Sequence, residues 1–97
     1  MIISGISEEL EQAIIDTSKR YDIKTLIVFG SRARGDHKRT SDIDLAVYGG
    51  NISAFAMEIE ESLPTLLTFD IVDLGGSVKP QLLKSIHTEG LVLYEKI

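Results

Sequence analysis

The apolar positions of the chain change period several times. Leu10, Ala13 and Ile14, Thr17 and Tyr21 recur at helical spacing and predict a helix over residues 7–21. Ser7 stands where a cap is needed, Glu8 and Glu9 fill the first turn, and Lys19 and Arg20 fill the last, each sign matching the helix dipole. Thr25 to Phe29 is a short run of β-branched and aromatic residues, nearly all apolar, as in a strand covered on both faces. It stops at Gly30. Ser31 to Arg34 fits one helical turn closed by Gly35, and Asp36 to Thr40 reads as a polar loop. Over residues 42–48 the pattern alternates: Ile43, Leu45 and Val47 form one apolar face, and Asp42 and Asp44 lie on the other.

Helical spacing returns over residues 52–63 through Ile52, Phe55, Ala56, Ile59 and Leu63, with Asn51 as cap and Pro64 as stop. Leu67 to Val72 predicts a third strand, and Gly75-Gly76-Ser77 a break. Residues 80–89 predict a last helix opened by Pro80 and ended by Gly90, with Leu82, Leu83 and Ile86 inward. Leu91 to Tyr94 predicts a last strand. No repeat, low-complexity tract or linker interrupts the 97 residues, a length that suits one domain over residues 1–97.

Composition narrows the function classes. The chain has no cysteine, so disulfides and zinc–thiolate sites are excluded and a reducing compartment is permitted. The N-terminus lacks a basic segment followed by an apolar core, and no apolar run approaches the ~20 residues of a membrane span. A cytoplasmic protein with no membrane partner is expected. The net charge of −5 is uneven. Residues 30–40 hold Arg32, Arg34, Lys38 and Arg39 against Asp36, a local excess of +3 that leaves −8 on the rest. An acidic body argues against direct binding to nucleic acid, where phosphate neutralisation dominates affinity. A small basic loop on such a body suits one compact anionic ligand.

The candidate chemistry lies between Gly30 and Leu45. Asp42 and Asp44, two apart in a strand, project from one face about 7 Å apart at the backbone. Two such anions repel, and a divalent cation resolves the conflict; magnesium prefers oxygen ligands, held by one or two carboxylates together with substrate phosphates. A third carboxylate should come from a neighbouring strand. Asp70 is flanked by Phe69 and Ile71 and points to the opposite side from them, as a third ligand or general base. Asp73 falls on the Phe69 and Ile71 side, beside the glycine break, and reads as a strand-end or turn residue. The Gly30-Ser31 step supplies a close backbone approach, amides at the start of a short turn and a hydroxyl, which together suit the phosphates of a nucleoside triphosphate. Of the four basic residues nearby, all readable as a solvated loop, Arg34 is the candidate phosphate contact because it lies within the compact turn. Gly30-Ser31 ends one strand and Asp42 begins the next, so cradle and carboxylates meet only if those strands run antiparallel. No dinucleotide-binding or P-loop fingerprint is present.

Gly30-Ser31, ten residues, then Asp42-Ile43-Asp44 resembles the signature of the DNA polymerase beta-like nucleotidyltransferase superfamily. The fuller string from Gly30 to Gly35 and from Ser41 to Val47 resembles its minimal nucleotidyltransferase (MNT) branch. The resemblance implies an α/β (α+β) nucleotidyltransferase fold, a small mixed β-sheet with helices packed mainly on one face. It implies Mg²⁺-dependent transfer of AMP from ATP to an acceptor hydroxyl, with two ions. Gly30 and Ser31 would hold the triphosphate, Asp42 and Asp44 the metal, and Asp70 would complete the metal site or activate the acceptor. The chain finishes straight after its last strand, which leaves little surface for acceptor recognition. The resemblance therefore also implies a partner, a HEPN-type RNase toxin modified on a tyrosine, with this chain as its antitoxin. The alternatives are an antitoxin that masks its partner sterically and a nucleotidyltransferase acting on a small molecule. Tyr48, Phe55, Met57 and Tyr94 are candidates for a partner surface, although core packing explains most such positions equally well.

Overall fold

A computed structural model describes residues 2–97. Among these residues four helices and four strands alternate: α1 (Glu8–Arg20), β1 (Thr25–Phe29), α2 (Ser31–Arg34), β2 (Ile43–Tyr48), α3 (Ile52–Ser62), β3 (Phe69–Asp73), α4 (Pro80–Glu89) and β4 (Leu91–Glu95). The predicted caps set the helix ends. The Ser7 hydroxyl accepts from the Leu10 amide at 3.1 Å, and the Asn51 side chain accepts from Ala54 at 3.1 Å.

The strands form one mixed sheet in the order β3-β2-β1-β4. β1 runs antiparallel to both β2 and β4, while β2 and β3 are parallel, with α3 making the crossover between them. The antiparallel return required of β1 and β2 is present, with Thr25 opposite Tyr48 and Phe29 opposite Asp44. Strand alternation gives the sheet two distinct apolar faces. Leu26, Val28, Ile43, Leu45 and Val47 pack with Leu10 and Ile14 of α1 and with Phe55 and Ile59 of α3. Phe29 and Ala46 face the other way, against Ile86 of α4, with Ile27, Val72 and Leu82 alongside. Two long helices thus seal one face, and α4 covers part of the other.

Most element ends fall within a residue of expectation; β3 and α4 depart in ways that matter. β3 starts at Phe69 rather than Leu67, because the segment after Pro64 is held in turns: the Thr65 amide donates to Leu63 O at 2.8 Å and the Leu67 amide to the Thr65 hydroxyl at 3.1 Å. Asp42 lies one residue outside β2. Leu83 is 48% exposed, because α4 turns Leu82 and Ile86 inward and Leu83 lies off that stripe. Among the described residues no helix is long and apolar enough to cross a membrane. The four partner-surface candidates divide: Phe55 is core, Tyr94 packs beside the core under Lys19, and Tyr48 and Met57 are exposed.

Candidate active site

Gly30 follows the last residue of β1 with φ of 75°, a conformation that side chains disfavour, and from it the backbone turns directly into α2. Its carbonyl accepts from the amides of Ala33 and Arg34, both at 3.1 Å, and the Ser31 carbonyl accepts from Gly35 at 2.8 Å. The first two amides of the turn, those of Ser31 and Arg32, precede any helical partner; Arg32 is buried, whereas Ser31 is half-buried and its amide is the one placed to meet an anion. Gly35, at φ 89°, closes the turn as predicted. Glycine is required at position 30 for a second reason: a Cβ there would run into the Asp44 carboxylate. The backbone of the cradle and the carboxylate on β2 are neighbours.

Asp44 lies opposite Asp70 in the parallel β2–β3 ladder. The next residues of the same parity, Ala46 and Val72, pack under α4, so both carboxylates belong to that face, beyond its apolar part. Asp42 is fixed differently. Its Oδ1 accepts from the Thr68 hydroxyl, and the Ile43 amide donates to the Thr68 carbonyl at 3.0 Å. The Asp44 carboxyl is pushed above the ordinary carboxylate range, first by burial, then by the negative charges of Asp70 and Asp42; Arg34 pulls in the opposite direction. Among the described residues no three His, Cys, Asp or Glu side chains stand close enough to enclose a metal ion. The donor set nevertheless has the chemistry of a hard-cation site: oxygen ligands only, with a mutual repulsion that a divalent cation would relieve. Asp73 is the last residue of β3, and its Oδ1 is taken up by the turn that follows, accepting from the Gly75 amide at 2.8 Å.

The basic residues of the loop have unlike fates. Arg32 is 1% exposed and points into the protein. Arg34 is exposed and sits beside the cradle, but it is engaged: its Nε donates to Asp36 Oδ2 at 3.2 Å and its Nη1 to Glu89 Oε2 at 2.9 Å. Lys38 and Arg39 are exposed. Two of the four cations, Arg32 and Arg34, are therefore already paired with groups of the protein itself. Sequence reasoning missed the burial of Arg32, the hold of Thr68 on Asp42 and the pairing of Glu89 with Arg34. Strand parity offered a clue only to Thr68, which falls on the Asp70 side. Thr68 also lines a cavity of about 340 Å³ with Glu60, Leu67 and Phe69, at the side of the site away from the cradle. A larger recess of about 560 Å³ runs along α1 among Glu8, Glu11 and Asp16 and includes none of these residues.

Residues 12–97 match the family described as polymerase beta, nucleotidyltransferase. The Methanocaldococcus jannaschii protein MJ0126, named as a candidate protein adenylyltransferase, is 32% identical over 91 residues, covering 90% of this chain and 93% of that protein. A toxin–antitoxin crystallised with AMP-PNP superposes with a TM-score of 0.70 at 29% identity, over 89% of this chain and 73% of that one. The toxin–antitoxin MntA–HpeT carrying two Asp-to-Glu substitutions superposes with a TM-score of 0.69 at 26% identity, over 89% and 73% of the two chains.

Proposed function

This chain belongs to the polymerase beta nucleotidyltransferase family, and from that premise we propose that it transfers AMP from ATP to a hydroxyl of a partner protein. The partner is a HEPN-type toxin, the acceptor is a tyrosine, and this chain acts as the antitoxin of a cytoplasmic pair. One observation carries the proposal: the Gly30 backbone, Asp44 and Asp70 adjoin across three neighbouring strands at one end of the sheet. The likeness to a toxin–antitoxin with AMP-PNP and to a candidate protein adenylyltransferase supports the choice of donor and acceptor class. A single catalytic domain over residues 1–97 is part of this reading.

Each residue then has a task. Gly30 lets the triphosphate reach the main chain, and Ser31 donates from its hydroxyl and its amide. Arg34 exchanges a carboxylate for a phosphate, to which its planar fork is equally suited. Asp42, Asp44 and Asp70 would hold Mg²⁺, as two ions, and the metal would supply charge neutralisation for the reacting oxygens. The acceptor oxygen forms a bond to the α-phosphorus, the bond from that phosphorus to the bridging oxygen breaks, and pyrophosphate leaves with the electron pair. Asp70, on the outermost of the three strands, receives the acceptor's hydroxyl proton or, where it completes the metal site instead, leaves that proton to solvent water.

The test is incubation of the protein with labelled ATP, Mg²⁺ and the HEPN protein encoded beside it. Label should appear on a tyrosine of that protein, which should lose RNase activity, and the Asp42→Asn, Asp44→Asn double variant should transfer none. Tight association of the two proteins with bound ATP and no label would establish steric masking instead.

A further inference from the structure

Among the described residues Arg32 is the largest fully buried side chain. Buried arginines are rare without an anionic partner, yet each nitrogen here donates to a main-chain carbonyl. Nε donates to Ser41 O at 3.0 Å, Nη1 to Ser4 O at 2.9 Å, and Nη2 to Arg39 O at 3.3 Å and more weakly to Lys38 O at 3.5 Å. The Ser4 amide returns a bond to the Arg32 carbonyl at 3.0 Å. The loop it grips is closed on itself: the Ser41 amide donates to Lys38 O at 3.0 Å, and the Lys38 amide donates to the Ser41 hydroxyl at 2.8 Å. Space around the guanidinium is tight, since a Cβ at Gly5 would lie 2.9 Å from Nη1 and would meet the His37 ring.

The Ser41 carbonyl belongs to the peptide unit that opens Asp42. We infer that Arg32 is a positioning residue: it clamps residues 38–41 onto the cradle turn and so fixes Asp42 relative to Gly30 and Ser31. The inference rests on the reading of Asp42 as a metal ligand. Two anchors then hold Asp42, the Arg32 fork through the preceding carbonyl and Thr68 through the carboxylate. Arginine is needed because a planar fork can serve carbonyls lying in different directions, whereas a lysine ammonium is a point charge that cannot span them. The same geometry separates Arg32 from Arg34: Arg32 is occupied with the protein's own main chain, while Arg34 faces solvent beside the cradle.

The experiment compares the full-length wild type with Arg32→Lys and Gly5→Ala, the latter displacing the guanidinium without changing it. Three quantities are measured: amide hydrogen exchange without metal, Mn²⁺ binding by electron paramagnetic resonance, and metal-free ATP binding. In Arg32→Lys, exchange at Ser41 and Ile43 should accelerate while the centre of the β1–β2 ladder stays protected. Mn²⁺ affinity should fall about tenfold, the range seen when residues supporting a metal ligand are replaced. Metal-free ATP affinity should stay within about threefold, well short of the loss expected on removing a charged phosphate contact. Gly5→Ala should shift Mn²⁺ affinity in the same direction by a smaller factor, which keeps the inference testable if Arg32→Lys does not fold. A loosened loop with unchanged Mn²⁺ affinity in either variant would reduce Arg32 to a purely structural role and overturn the inference. Loss of metal-free ATP binding with an unaltered loop would overturn it in favour of a phosphate contact. Wild-type protein that binds no Mn²⁺ would remove the reading of the site itself, and the inference with it, whereas normal wild-type binding isolates the variants' result to Arg32.

Discussion

Under α1 and α3 the sheet buries Leu26, Val28, Ile43, Leu45 and Val47 completely, interleaved with Ile14, Phe55 and Ile59. Across the same strands α4 buries only Phe29 and Ala46 against Ile86, with Ile27 and Val72 half covered. Beyond its reach the α4 face continues into Asp44 and Asp70. The two faces are made by alternate residues of the same strands, so they share a backbone but not their side chains. One invests its area in dry packing. The other gives up apolar burial at one end and gathers carboxylates that repel one another. The raised Asp44 pKa, caused by burial and then by Asp70 and Asp42, is the electrostatic mark of that concession.

The sharpest way to separate the faces is Asp44→Asn. Transfer should fall by about a thousandfold or more, the order implied by losing several kcal/mol of charge stabilisation in the transition state. The same variant, free of metal, should unfold at a higher temperature than wild type because a repelling charge is gone. The sign with pH follows from the raised value. The folded protein holds the Asp44 proton more firmly than the unfolded chain, so the stability this gives is complete in acid and is lost as pH rises through the folded-state pKa. Thermal unfolding without metal from about pH 4 to pH 7, the range above the ordinary aspartate value, should show wild type declining relative to Asp44→Asn. Parallel curves would show that the carboxylates do not oppose folding.

Next in size are core truncations. Phe55→Ala, on the sealed face, should cost about 3–5 kcal/mol, enough to unfold much of a small protein. Ile86→Ala, on the partly covered face, should cost about 2 kcal/mol, the low end for its class, because its surroundings can relax toward solvent. Urea denaturation measures both, and equal costs would break the contrast between the faces. The smallest effect is expected at the rim. Glu89→Gln removes an exposed partner of Arg34, and such pairs contribute about 0–1 kcal/mol. Stability should barely move, while ATP affinity measured by calorimetry should rise by up to about fivefold as Arg34 loses a competitor for phosphate. Weaker ATP binding would mean that Glu89 holds Arg34 in its working position.

Much of this arrangement is legible in the sequence. Helix ends were readable because caps and stops act over three or four residues, as at Ser7, Asn51, Pro80 and Gly90. Strand alternation put Asp44 and Asp70 opposite the apolar core, because side chains in a strand can face only two ways. For Gly30-Ser31 and Asp42 to meet at one end of the sheet, β1 and β2 had to be antiparallel, as they are. Other features had no local signature. An amphipathic helix reveals which of its sides is buried but not which face of a sheet receives it, so the place of α4 emerged only in three dimensions. Arg32 and Arg34, two residues apart in one basic segment, look alike as sequence. Arg32 is buried because carbonyls from Ser4 to Ser41, up to 28 residues away, converge on it. Arg34 is occupied because Glu89, 55 residues away, ends a helix beside it. Local periodicity and caps lie in the order of the residues, whereas the partners of a buried or paired charge come from distant segments that meet only when the chain has folded.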